Sequence, residues 1–186
     1  MPNYATIYFV NPSAEDYEFA KEFLGDLVNI QRINLDIPVI CSTSIEKLVE
    51  NETRAAYSLL KDNTLVIRRF LLIGDLDGFP GVCTHYLESH QVLKKITKLF
   101  SKLDNRNAIL KLVAGVHYGH KLGIFTYELK GSVGSNNNPF KVEDIFIPEN
   151  TNAPLSENPL LLEEVKKQFY MKVKGFVKGI LEGKIW

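Results

Sequence analysis

The stretch Leu65-Val66-Ile67-Arg68-Arg69-Phe70-Leu71-Leu72-Ile73, with the turn Leu76-Asp77-Gly78-Phe79-Pro80-Gly81 close behind it, sets the frame for the whole chain. A run this apolar reads as a buried strand, and the glycines and proline behind it read as its terminating turn. Two arginines interrupt it. Charged groups are costly to bury without partners, and neighbours in a strand project to opposite faces. At least one of Arg68 and Arg69 is therefore expected to reach a cleft or a partner. Internal pairing with acids such as Glu52, Asp75 or Asp77 is the plainest way to bury both, because an uncompensated buried charge is strongly destabilising.

Working outward, Thr6–Val10 is a β-branched and aromatic strand that ends at Asn11-Pro12-Ser13. Ser13 is a helix N-cap with Asp16 at N3, and Gly25 is a stop. Ile30–Leu35 reads as a second strand. Ser44 caps a helix with Leu48, Ala55 and Leu59 near one face. After the Gly-Pro-Gly turn a helix is expected through Leu103, with Val92, Ile96, Leu99 and Leu103 inside and Lys94, Lys95, Lys98 and Lys102 outside. Ala108–Gly115 and Gly123–Leu129 form hairpin strands around Tyr118-Gly119-His120. Gly131–Pro139 is a polar loop, Ile145–Pro148 a short strand, and residues 149–159 are irregular. The last stretch places Val165, Phe169, Val173, Phe176, Val177 and Ile180 on one helical face. Early βαβα order followed by hairpins predicts an α/β fold, a mixed twisted sheet flanked by helices with an antiparallel hairpin lobe. No repeat or linker divides residues 1–186, so a single domain is expected.

These pieces, in this order, resemble the inosine triphosphate pyrophosphatase (Ham1) family over nearly the whole chain. Asn11 closes a loop similar to the family's Ser/Thr-x-Asn-x-x-Lys. Asp36-Ile37-Pro38 resembles its Asp-hydrophobic-Pro-Glu segment, and Arg54-Ala55-Ala56-Tyr57 its second helix. Leu76–Gly81 matches its Leu-x-Gly-x-Pro-Gly turn. Phe140 to Pro148 is similar to its Gly-Phe-Gly-Tyr-Asp-Pro motif, and Glu157 fits the acid that follows. The resemblance implies the Ham1 fold, magnesium-dependent cleavage of deaminated purine nucleoside triphosphates to monophosphate and pyrophosphate, and a homodimer.

That chemistry needs a cation held by carboxylates, a positioned water and basic groups around the phosphates. The resemblance places unexpected residues at each of those positions. Ala14 stands where the loop lysine belongs, Val39 where the carboxylate after Asp-x-Pro belongs, and Glu52 where the second helix carries lysine. Arg68 and Arg69 fall on an acid pair, with Phe70 and Leu71 on the Ser/Thr-Gly behind it. Lys167, Gln168 and Phe169 fall on the base-gripping Ser-His-Arg, and Glu163 and Glu164 on a Lys-Asn. Guanidinium offers a cation no lone pair. Asn11, Phe140 and Glu143 are what remains of a nucleotide site. The expectation is a pseudoenzyme: no cofactor, no metal ligands, and a role in binding a purine nucleotide, a protein, or an RNA-rich assembly such as the ribosome. The alternatives are an active ITP/XTP/dITP pyrophosphatase with a rearranged site, using Asp75 and Asp77, and a dimerising structural subunit.

Other features are weaker. The formal net charge is zero, but residues 1–62 carry net −5 and residues 63–186 net +5. Residues 88–111 hold six bases against two acids, and residues 163–186 six against three. Neither stretch interleaves aromatics with bases in the manner of single-strand binders, so solvated faces compete with RNA or acidic-protein contact. Trp186 offers a possible interfacial anchor for the last helix. His117 and His120 read as surface turn histidines. Gly131–Ser135 lacks the lysine of a phosphate loop. Cys41 and Cys83 have no metal-binding spacing and read as reduced thiols. No run reaches the ~18 apolar residues of a membrane span. With no export signal recognised, a cytoplasmic location is expected.

Overall fold

The computed structural model describes residues 5–38, 42, 44–100, 102–136 and 138–184. Val39, Cys41 and Trp186 lie outside the described residues. The chain runs β1 (Thr6–Val10), α1 (Ala14–Leu24), β2 (Asn29–Ile33), α2 (Ile45–Leu60), β3 (Thr64–Ile73), α3 (Thr84–Ser89), α4 (Leu93–Phe100), β4 (Asn107–Tyr118), β5 (Lys121–Val133), β6 (Phe146–Pro148) and α5 (Pro159–Leu181). The strands form one sheet in the order β2-β1-β3-β4-β5-β6. β1 runs parallel to β2 and β3, with Tyr8 opposite Thr64, whereas β6 is antiparallel to β5. The mixed α/β sheet with flanking helices is thus the architecture expected from the sequence. No helix of the described residues is long and apolar enough to cross a membrane.

The chain divides into two compact units. One comprises Met1–Arg68, Val113–Thr126 and Lys167–Trp186, and the other Arg69–Leu112 and Tyr127–Lys166. In the first, Ser13 Oγ accepts from the Asp16 amide at 3.1 Å and Ser44 Oγ from the Lys47 amide at 3.3 Å. These are the two N-caps that the sequence predicts. Gly25 closes α1, but in right-handed backbone. Ile7, Phe9, Val10, Leu24, Phe169, Val173 and Val177 are buried. Phe19 stacks on Phe23 and meets Tyr170 at a centroid distance of 5.2 Å. The buried face of α2 is Leu48, Val49, Glu52, Thr53 and Ala56, so the expected contribution of Leu59 fails: it is 61% exposed.

In the second unit, Leu71, Ile73, Leu93, Phe100, Leu110, Val133, Val142, Ile145, Phe146 and Leu155 form the core. The Leu76–Gly81 turn uses left-handed backbone at Asp77, Gly78 and Gly81, and Phe79-Pro80 is cis. Thr84 fastens it: its hydroxyl donates to Gly81 O at 2.7 Å and accepts from the Leu71 amide at 3.0 Å. The single helix expected through Leu103 is instead two, α3 and α4. Gln91 adopts φ 54° between them, which resets the helical phase. Leu93, Thr97 and Phe100 are therefore buried and Leu99 is exposed. β5 also runs on to Val133, into the segment read as a loop. Gly131 serves close strand approach there, since a Cβ at that position would strike the Ile147 carbonyl of β6.

Candidate functional site

The two arginines of β3 each meet a buried acid. Arg68 Nε lies 3.0 Å from Glu52 Oε2, their side chains 16% and 7% exposed. Glu52 is on the inner face of α2, put there by the helical spacing of Leu48, Val49 and Ala56. Burial pushes its carboxyl above the usual range, and the attraction of Arg68 only partly offsets this. The swapped-charge pair expected between Glu52 and an arginine is therefore present.

Arg69 begins the second unit. Its Nη1 donates to Glu143 Oε1 at 2.7 Å. The expected partners Asp75 and Asp77 are both exposed; Asp75 instead accepts from the Asn105 amide at 2.8 Å, and Asp77 turns in left-handed backbone. Glu143 is 4% exposed and sits in the 3-10 turn Val142–Asp144, held by the Asp144 carboxylate accepting from the Phe140 and Lys141 amides. A second, half-buried acid lies beside the Arg69–Glu143 pair. Glu88 of α3 accepts from the Val142 amide at 2.9 Å. Burial pushes its carboxyl up, the Val142 amide opposes that, and repulsion by Glu143 adds to it. The alignment of Glu88 with residue 142 spans 54 positions and has no local signature.

Asn11, at φ 49°, clasps the Leu35 backbone through both side-chain atoms, donating at 2.7 Å and accepting at 2.8 Å. Ala14 is the exposed first residue of α1 and lines a surface hollow with Tyr17, Glu18, Gln31 and Arg32. Phe140 is 63% exposed, and Gln168 is exposed on α5. His117 corrects the expectation of a surface histidine: it lies in β4, buried, stacked on Tyr57 at 3.7 Å between ring centroids. Burial lowers its proton affinity, and the Arg54 charge lowers it further. His120 is exposed in the turn, as expected.

Chemically, this arrangement neutralises charge. Both guanidinium groups and the two buried carboxylates, Glu52 and Glu143, are committed to each other. The magnesium implied by the resemblance does not fit this donor set, because arginine has no lone pair to give and Glu52 and Glu143 already face cations. Among the described residues no group of three or more His, Cys, Asp and Glu is arranged to hold a metal ion.

The Ham1 family model matches residues 14–181. A dITP/XTP pyrophosphatase of Methanopyrus kandleri is 27% identical over 156 residues, covering 81% of this chain and 83% of the relative. One from Pyrobaculum aerophilum is 26% identical over 152 residues, covering 80% of each. Among solved structures, a HAM1 protein from Coxiella burnetii superposes with a TM-score of 0.73 at 18% identity, covering 96% of this chain and 99% of that one. The Staphylococcus aureus Ham1 protein gives 0.70 at 17%, with the same coverage.

Proposed function

We propose that this chain, which belongs to the Ham1 family, acts by binding and does not hydrolyse nucleoside triphosphates. The relatives are named dITP/XTP pyrophosphatases, and cleavage of a triphosphate draws on cation-binding acids and phosphate-binding bases. The observation that carries the reading is the inverted charge at the end of β3. Where the family resemblance puts an acid pair, Arg68 and Arg69 are neutralised by Glu52 and Glu143 at 3.0 and 2.7 Å. Glu52 itself stands where the resemblance puts a lysine. An acid and a base have changed places, with the new acid buried and the new base half-buried. Such an exchange keeps the packing of the scaffold while removing the groups that would meet a metal–phosphate complex.

Pyrophosphate release from ITP, XTP and dITP with magnesium tests this. The expected result is release no faster than in a control without protein. Release proportional to protein concentration, and stopped by chelating the metal, would overturn the reading in favour of a rearranged active site. A thermal-shift titration with the same nucleotides then separates silent nucleotide binding from a role that uses only macromolecular partners. A cytoplasmic homodimer is part of the same proposal.

A further inference from the structure

α4 presents an outer face of three lysines and one leucine. At 100° per residue, Leu93, Ile96, Thr97 and Phe100 share the inward arc, with Leu93, Thr97 and Phe100 buried. Lys94, Lys95 and Lys98 share the opposite arc with the exposed Leu99 and are themselves exposed, and Lys102 follows just beyond the helix, also exposed. No acid occurs from Ser89 to Leu103. The acid before that interval, Glu88, is turned inward to the Val142 amide. The segment itself thus contributes bases and no carboxylate to this face.

The structure adds an aromatic feature to it. Tyr86 of α3 and His90, which caps that helix four residues on, stack with centroids 4.2 Å apart and planes 25° from parallel. The pair is on the outside: Tyr86 is 56% exposed and His90 is exposed. The His90 ring is fixed by contacts of Nδ1 with Ser89 Oγ at 2.9 Å and Tyr86 O at 3.2 Å. An exposed, pre-stacked aromatic pair three residues from a lysine face combines the two elements that single-strand binders use, a π surface for a base and cations for the backbone.

We infer that the α3–α4 surface binds single-stranded nucleic acid, with phosphates on Lys94, Lys95, Lys98 and Lys102 and a base on the Tyr86–His90 stack. This goes beyond the nucleotide question and stands whichever way the pyrophosphate assay falls. An acidic protein would use the lysines but would have no need of the aromatic pair.

The test is fluorescence anisotropy with a labelled single-stranded RNA of about 12 nucleotides, titrated at several salt concentrations. Binding should weaken with salt at a log–log slope of about −2 to −3, the value for three or four neutralised phosphates on a single strand. Replacing Lys94, Lys95 and Lys98 together by Gln should cost at least about tenfold in affinity and flatten the slope. Tyr86→Ala should cost about fivefold or more with the slope unchanged, because stacking releases no counterions. Both variants change exposed side chains, and unaltered melting curves verify their folding. Absence of binding at low salt, or wild-type binding by the lysine variant, would overturn the inference. So would competition by polyglutamate as strong as by RNA together with an inert Tyr86→Ala, which would assign the surface to acidic proteins.

Discussion

Arg69 is worth most to this protein as the partner of Glu143. The carboxylate is 4% exposed, and Glu88 repels charge at the same place. Arg69→Met should therefore lower stability by about 3 kcal/mol, the scale for stripping one member from a buried pair. Adding Glu143→Leu should recover most of the loss, since an apolar pair of similar volume replaces a buried ion pair at little cost. Urea denaturation of the two single variants and the double measures the coupling; strictly additive losses would show that the two side chains act separately. The sequence raised the question but could not supply this partner. Glu52 was foreseeable, because its helical register and the swapped charge both pointed inward. Glu143 lies 74 positions from Arg69, and no local pattern links residues at that separation.

At the scale of elements, strand β4 and helix α2 touch closely at Gly115. A Cβ there would overlap Thr53 Oγ1 and crowd Val49 Cγ1 at 3.3 Å. Thr53 Oγ1 is fixed in place by its bond to Val49 O at 2.7 Å. Gly115→Ala should cost about 1–3 kcal/mol, as overpacking of a rigid site does. Thr53→Ala in the same chain should recover part of that loss by removing the obstructing oxygen. Thermal melts of the two single variants and the double check this, and a double variant no better than Gly115→Ala would place the clash elsewhere. Element type was legible where period and caps agreed, as in β1, α1, α2 and α5. It failed after the Gly-Pro-Gly turn, where Gln91 in left-handed backbone shifts the phase of α4 by one residue. A glutamine carries no signal for that conformation, which glycine or asparagine adopts more readily.

The whole molecule has opposing links between pH and stability. Burial raises the proton affinity of Glu52 and Glu88. Their protonation stabilises the fold fully below the unfolded carboxylate value of about 4.3, and this contribution is lost as pH rises through the raised folded values. His117 acts the other way. Its proton affinity is lowered, so its contribution is complete above about pH 6.5 and is lost as pH falls through the folded value. Glu88→Gln removes one carboxylate while keeping an acceptor for the Val142 amide. Its melting temperature relative to wild type should be highest near pH 8, and the difference should shrink as pH falls towards 4.5. A difference independent of pH would show that burial does not raise the proton affinity of Glu88.

By itself the sequence determined the α/β class, the order of elements, the capped helices and the family resemblance. These depend on periodicity, on turn residues and on motifs, all of which are local. It also located the inverted charges, because Arg68 and Arg69 stand out in any apolar strand. Only the tertiary structure decided what those charges do. Burial and pairing depend on side chains brought together from distant positions: Glu52 to Arg68, Glu143 to Arg69, Glu88 to the Val142 amide. Tyr86 and His90 are only four positions apart, yet their stacking and exposure were likewise decided by the structure.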